Sequence, residues 1–468
     1  MVKFTLTKNL KSYKNGTWSS VFICYILSLL PVIVAFLYTI FNIFDCTNLR
    51  FLYQHLQFSY LLIIFPILFV LVDISRVIRG KFKIKFNFKD FAKSYPETII
   101  LLFALIWIIT GSIFRLVSDI APSGFEAKAL NVYNIYQGLP VFLFYAMCFM
   151  FGFLLKSRKI AKNILISTTI CSLILVIFSL NDPTGQLTFQ STRNTYWSSV
   201  FFNSNYYGYY LSLTTIICFG LYLFEENKIM KWLFFSAGVL HTFVCLLNNS
   251  LACMLSVFVV LTLIPIIVNI KNRSFDWKTL LPIAVFIVLS QFVLLFGKSY
   301  HSNYQNFFLQ LLNMFKEVVN FIKNPSAPQN QSFGTGRVGL WIESLKEIGK
   351  NPIFGNGKTN HLPHSEYLQI AEIWGLPCLT LFLASIIIIL VKTFKYVRKL
   401  DTLTIIVMFA VISYLISAIF GNIMPHIAYG FTMLLGILVR WLNIDIKKTK
   451  LQKEIQTEGI IITDKNVL

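Results

Sequence analysis

What this chain has least of is charge. Only 13% of its 468 residues are Asp, Glu, Lys or Arg, against roughly a quarter in a soluble domain, and acids are the scarcer sign, 20 against 41 bases. With a mean hydropathy of +0.68, that shortage excludes a soluble globular enzyme and a disordered chain. There is no CxxC pair among the eight cysteines and no HExxH, so neither a disulfide scaffold nor a metal centre is indicated. A Walker loop and a dinucleotide fingerprint are missing too, which leaves no basis for ATP-driven transport by this chain alone. The excess of base, formally +21, would suggest nucleic acid in a soluble protein. In so apolar a chain it instead asks on which side of a bilayer the positive charge sits.

What the chain has in abundance is apolar runs, rich in its 46 Phe and 21 Tyr. A spanning helix needs about 20 mostly apolar residues. Twelve runs qualify, near 20–42, 58–78, 98–118, 137–155, 163–180, 205–224, 231–248, 250–270, 279–297, 374–392, 403–421 and 425–442. The first follows four lysines and has no small-residue cleavage pattern, so it reads as an uncleaved span. The expected fold is an all-α integral membrane protein with about twelve transmembrane helices. Lysine and arginine crowd the N-terminal tail, 76–93, 156–162, 228–231, 271–278, 392–399 and the stretch from Arg440 onward. Roughly three quarters of the 41 bases fall on that one side, which the positive-inside rule makes cytoplasmic, with both termini inside. On that side Asp73 and Arg76, spaced i,i+3, pair locally, and the basic stretch 76–93 suits anionic lipid.

One connection breaks the run of short loops. Residues 298–373 form a long extracytoplasmic loop between spans nine and ten, dividing the chain into 1–297 (spans one to nine), the loop, 374–442 (spans ten to twelve) and a cytoplasmic tail, 443–468. Amphipathic patterns place helices at 304–323 and 337–349, and Pro325 and Pro328 mark the linker between them. Glycines 334, 336, 339, 355 and 357 allow turns and close backbone approach. Arg337 opens a helix on this loop, where it either clamps a phosphate beside free helix N–H groups or bridges the loop structurally. His364 and Glu366 begin a helix running into span ten; they suit acid–base work, or are simply a polar helix start. Upstream, Arg193 precedes FFNSNYYGYYL, in which Asn203, Asn205 and Tyr206 stand. The tyrosines there are either an interfacial belt or a sugar-binding surface, and Arg193 either snorkels to lipid or joins Arg337 at a diphosphate. Asn248, Asn249 and Ser250 make a tight structural turn, His241 is a packed histidine within span seven, and seven cysteines lie in apolar runs, with Cys46 in an outer loop.

In GTGRVGLWIESLKEIGKNPIFGNG, in HSEYLQIAEIWGLPCLTLFL and in the Asn-rich segment, the chain resembles the O-antigen ligase and Wzy-type polysaccharide polymerase superfamily. The resemblance implies a GT-C-like, metal-independent glycosyltransferase of the bacterial cytoplasmic membrane, without cofactor, its active site facing outside. It implies an undecaprenyl-diphosphate-linked glycan as donor and acceptor, with flippase and chain-length regulator proteins as partners and no nucleic acid. Carried onto this sequence, Arg193 and Arg337 bind the donor diphosphate and His364 is the general base, with Glu366 assisting it and His361 a possible substitute. Many relatives carry Ser-Arg where this chain has Asn249-Ser250-Leu251, so Lys358 is the candidate for a missing cation. Repeat-unit polymerisation into a capsular or exopolysaccharide is the expected activity. Transfer of the finished glycan to another acceptor, as in a ligase, is the alternative, and a lipid-linked oligosaccharide flippase is the reading from another class.

Overall fold

The computed structural model describes residues 18–43, 71, 88–117, 138–181, 197, 199–201, 204–300, 305–323, 337–359, 362–423 and 425–457. Among them every long element is a helix and there is no strand. In order these are α1 (Trp18–Ile43), α2 (Phe88–Ser94), α3 (Pro96–Val117), α4 (Leu139–Leu154), α5 (Arg158–Asn181), α6 (Ser204–Phe224), α7 (Lys228–Asn248) and α8 (Leu251–Asn272). They continue as α9 (Leu281–Tyr300), α10 (Phe307–Lys323), α11 (Arg337–Lys350), α12 (Glu366–Trp374), α13 (Leu376–Tyr396), α14 (Thr402–Ser417) and α15 (Pro425–Thr457). Nine of the described helices, α3, α5 to α9 and α13 to α15, are long and apolar enough to cross a membrane. α4 is apolar but only 16 residues long, and the expected span at 58–78 except residue 71, like Asp73, Arg76 and Cys46, lies outside the described residues.

Hydrocarbon offers no hydrogen bonds, so each spanning segment must satisfy its own polar groups. The hydroxyls of Thr168, Thr169, Thr242 and Thr393 do so by donating to the carbonyl four residues back. Asn227 caps α7 by accepting from the N–H groups of Ile229 and Met230, and Asn249 ends it in the left-handed region at φ 59°. His241 is held between Ser172 Oγ and the Ala237 carbonyl, each 2.7 Å away, as expected of a packed histidine.

α6 and α14 form the centre, packed on each other with α7, α8 and α15 around them. α4 lies along α15, and small residues set that spacing: a Cβ on Gly152 would stand 2.1 Å from the Met433 carbonyl oxygen, and one on Gly436 2.1 Å from that of Phe149. Packing of bare backbone against backbone is the main way helices associate where no hydrophobic force drives them together.

Polar contacts gather at the two ends of the bundle. At one end the buried Glu97 accepts from Lys392 at 2.6 Å and from Asn443 at 2.5 Å. Arg158 bridges Asp401 and Asp445, Lys162 pairs with Glu225 at 2.8 Å, and Lys271 donates to the Leu400 carbonyl. These residues belong to the connections that cation counting assigns to one side. The opposite end collects the connections at 248–250, 351–359, 362–365 and 418–423.

Two elements depart from the sequence reading. The helix that begins at Glu366 does not run into span ten: it stops at Trp374, Gly375 turns out at φ 86°, and α13 starts afresh at Leu376. Only glycine fits there, because a Cβ on Gly375 would lie 1.9 Å from the Ile353 carbonyl oxygen. At the other extreme, α15 continues past the apolar run to Thr457.

Gly436→Val should force α4 and α15 apart and cost about 1–3 kcal/mol of overpacking. A lowered thermal midpoint in detergent, with the exposed Gly349→Ala variant unaffected, is the expected result; equal midpoints for both would show that the crossing does not depend on the glycine.

Candidate functional site

α12 is nine residues long, too short to persist without tertiary support. Its C-terminal carbonyls have no intrahelical donor, yet all four are used. Ala371 O accepts from Gly375 N at 2.9 Å, and Glu372 O from Asn356 N at 2.7 Å. Ile373 O accepts from Gly357 N at 3.1 Å and from Arg115 Nη1 at 2.9 Å. Trp374 O accepts from Trp107 Nε1 at 3.1 Å. The loop 351–357 is thus a socket. Its glycines are there for closeness: a Cβ on Gly355 would lie 2.4 Å from Ile373 O, and one on Gly357 2.6 Å from Arg115 Nη1. Arg115 also lies over the Trp374 ring, 4.4 Å from its centroid, placing a cation at the negative end of the helix dipole.

The other end of α12 is tied to the segment that ends α14. Tyr414 Oη donates to Glu366 Oε1 at 2.6 Å, and Tyr367 Oη to the Leu415 carbonyl at 2.8 Å. Ile423 N donates to Gln369 Oε1 at 2.7 Å. Just before the helix, His364 N donates to Asn422 Oδ1 at 2.8 Å. That bond holds His364 at φ 48°, in the left-handed region, where a non-glycine residue costs roughly 1 kcal/mol. It also orients the Asn422 amide: the oxygen faces the backbone, so the amide nitrogen faces His364 Nδ1, 3.4 Å away. Nδ1 is therefore the acceptor, unprotonated nitrogen of the ring.

Arg337 opens α11, and one turn later the Trp341 ring stands 6.1 Å from the Phe420 ring, docking that turn against the same 418–423 segment. The guanidinium is half-buried and makes no hydrogen bond or ion pair among the described residues. Arg337 and Glu366 both lie within electrostatic reach of the buried Tyr209, as do Tyr206 and Tyr367. Tyr209 Oη donates to the Ser417 carbonyl at 2.8 Å, and Gly421 makes room for it, since a Cβ there would lie 1.8 Å from that oxygen. Burial, and then the Arg337 charge, hold the His364 imidazole below its usual pKa, so it is neutral at pH 7. Burial alone pushes Glu366 up to about 8, against the opposing Tyr414 bond, so this carboxyl keeps its proton at neutral pH.

Arg337 thus lies within electrostatic reach of His364, and Arg337, Glu366 and Tyr206 each within reach of Tyr209. Asn205 lies on the first turn of α6, where its Oδ1 accepts from Ser250 Oγ at 2.9 Å and ties that turn to the expected 248–250 turn. Lys358 directly follows the socket loop and makes no hydrogen bond or ion pair with Arg337, His364 or Glu366 among the described residues. Arg193, Asn203 and His361 lie outside the described residues. Two expectations need correction. Glu366 makes no hydrogen bond to His364; its partner is Tyr414, and Asn422 orients the histidine. Tyr207, Tyr209 and Tyr210 form no interfacial belt, being 0%, 2% and 7% exposed inside the bundle. Residues that the sequence reading passed over are Arg115, Tyr414, Gln369 and Asn422. Arg115 alone carried a signal, as a cation at the end of an apolar span.

No residues among those described cluster as a metal site. The arrangement can hold an anion at Arg337 and take a proton at His364 Nδ1, on a scaffold fixed at both ends of α12. No protein-family model matches the chain, and no curated protein matches it.

The raised pKa of Glu366 gives a signed prediction. The folded state binds this proton up to about pH 8, whereas an unfolded glutamate loses it near pH 4.3. Wild-type stability therefore falls, relative to the neutral Glu366→Gln variant, as pH rises from about 5 to about 8, and the gap then levels off. Thermal midpoints of the two proteins across that range test it, and parallel curves would refute the buried, protonated carboxyl.

Proposed function

We propose that this chain is a metal-independent glycosyltransferase with a GT-C-like fold of twelve spans. It polymerises undecaprenyl-diphosphate-linked repeat units into a surface, capsular or exopolysaccharide at the outer face of the bacterial cytoplasmic membrane. In this reading the paired-charge end of the bundle is cytoplasmic, as are both termini, and the α12 end faces outward. The observation that carries it is a half-buried guanidinium with no protein partner among the described residues, close enough to a neutral histidine to lower its pKa. A hydroxyl of one repeat unit attacks the anomeric carbon of the growing glycan, and the C–O bond to the diphosphate breaks with its electron pair leaving on that oxygen. The charge developing there is met by Arg337, with Arg193 as second cation. The hydroxyl proton passes to His364 Nδ1 once the acceptor replaces Asn422 in that loose 3.4 Å contact. Glu366, neutral and buried, adds no negative charge to a site that must hold a diphosphate. Flippase and chain-length regulator proteins are the expected partners.

Purified protein given a single lipid-linked repeat unit should produce a ladder of lengths. A product only when a different acceptor is added would move the assignment to a ligase. Movement of the intact lipid across vesicles without any transfer would move it to a flippase. His364→Ala should abolish the ladder while the protein inserts and folds normally, and full activity in that variant would remove the base. Arg337→Ala should cost about 10²–10³ in turnover, the range for losing one charge-stabilising group, with Arg337→Lys recovering part of it.

A further inference from the structure

The two ends of the bundle differ in how they use cations. At the end carrying Glu97, Arg158 and Lys162 each face carboxylates, and Lys271 and Lys392 are also engaged. Two arginines at that end are not. Arg273 follows the last turn of α8 and Arg398 lies in the turn after α13; both are exposed, and neither has a hydrogen bond or ion pair among the described residues. They line one open cleft of about 710 Å³. The acids nearest them in sequence are already engaged: Asp276 caps the next turn through Lys278 N at 3.0 Å, and Asp401 pairs with Arg158 at 2.6 Å.

The rest of the cleft is amphipathic. Ile266 and Ile270 are one turn apart on α8, and Arg273 continues their line; they are 53% and 43% exposed. Phe275 is 74% exposed, and Trp277 just beyond it 59%. An apolar wall rising along a spanning helix to a pair of guanidiniums, with aromatic side chains at the rim, matches a lipid: acyl chain along α8 and headgroup between the arginines. The backbone adds an independent sign. Arg273 occupies the position after the helix end in the left-handed region, φ 55° and ψ 25°, where glycine is the stable choice. Keeping an arginine there costs stability, and strained positions of this kind cluster where ligands are held.

We propose that Arg273 and Arg398 form a binding site for the phosphodiester headgroup of an anionic phospholipid, seated in the leaflet that this end of the bundle faces. The planar guanidinium forks take the phosphate oxygens in pairs, and the inference does not depend on the catalytic reading.

The test is native mass spectrometry of the purified full chain, delipidated and re-exposed to mixed micelles of phosphatidylglycerol and phosphatidylcholine. Wild-type protein should retain phosphatidylglycerol in preference to phosphatidylcholine. Arg398→Gln should lower that retention about five-fold and the double Arg273→Gln, Arg398→Gln variant more than ten-fold, whereas Lys159→Gln on the same end should leave it unchanged. Arg273→Gly separates a ligand role from a structural one: it should raise the thermal midpoint by relieving the left-handed residue and still lose lipid. Unchanged phosphatidylglycerol retention in the arginine variants, equal retention of phosphatidylcholine, or binding of inorganic phosphate in place of the lipid would each overturn the proposal.

Discussion

The capture of the four C-terminal carbonyls of α12 is the contact on which the rest of the site depends. A nine-residue helix lacks the length to hold itself together, and an unsatisfied buried carbonyl costs about 1–3 kcal/mol. Donors from three separate parts of the chain meet those carbonyls: the 356–357 loop, Gly375 itself, and Trp107 with Arg115 on α3. With the C-terminus seated, the N-terminus has little freedom. The bonds between the 414–423 segment and His364, Glu366, Tyr367 and Gln369 then fix both where the histidine stands and which of its nitrogens faces the Asn422 amide.

The same geometry explains how a cation and a carboxyl can share a site without cancelling. An ion pair between Arg337 and Glu366 would leave neither available. Glu366 is instead turned into the bundle, where Tyr414 donates to it and Tyr145 and Tyr209 lie within electrostatic reach. Burial keeps it neutral, which removes the reason for Arg337 to seek it. The Arg337 charge has no carboxylate partner among the described residues and stands beside a neutral imidazole.

The sequence reading reached what depends on neighbours along the chain. Apolar length located α3, α5 to α9, α13 and α14 to within a few residues, amphipathic spacing located α10 and α11, and Asn248-Asn249-Ser250 reads as the turn it is. The sorting of cations also anticipated which connections share an end of the bundle. What it missed depends on residues far apart in sequence. Arg115 reaches Ile373 across 258 positions, and Asn422 reaches His364 across 58. The tyrosines after Ser204 carry the composition of an interfacial belt, yet α6 is the central helix, and burial there follows from helix packing, which composition does not encode. At Gly375 the residues alone left both outcomes open, since a glycine before Leu-Pro permits a bend or a continuous helix, and the nearby Ile353 carbonyl decides for the turn.

Residues 351–359 and 362–375 therefore serve the seating of one helix, in two halves. A run of Asn, Gly and Lys beside an arginine invites reading as a phosphate cradle, because glycine lets backbone N–H groups approach an anion. Here the N–H groups of Asn356 and Gly357 point at helix carbonyls and are already used, and the cation they adjoin, Arg115, is turned to the same acceptor. The glycine-rich half builds the seat of α12, and His364 stands at the other end of that helix, bonded to Asn422. Arg337 stands beyond the seat, its helix docked by Trp341 against the segment that also orients the histidine.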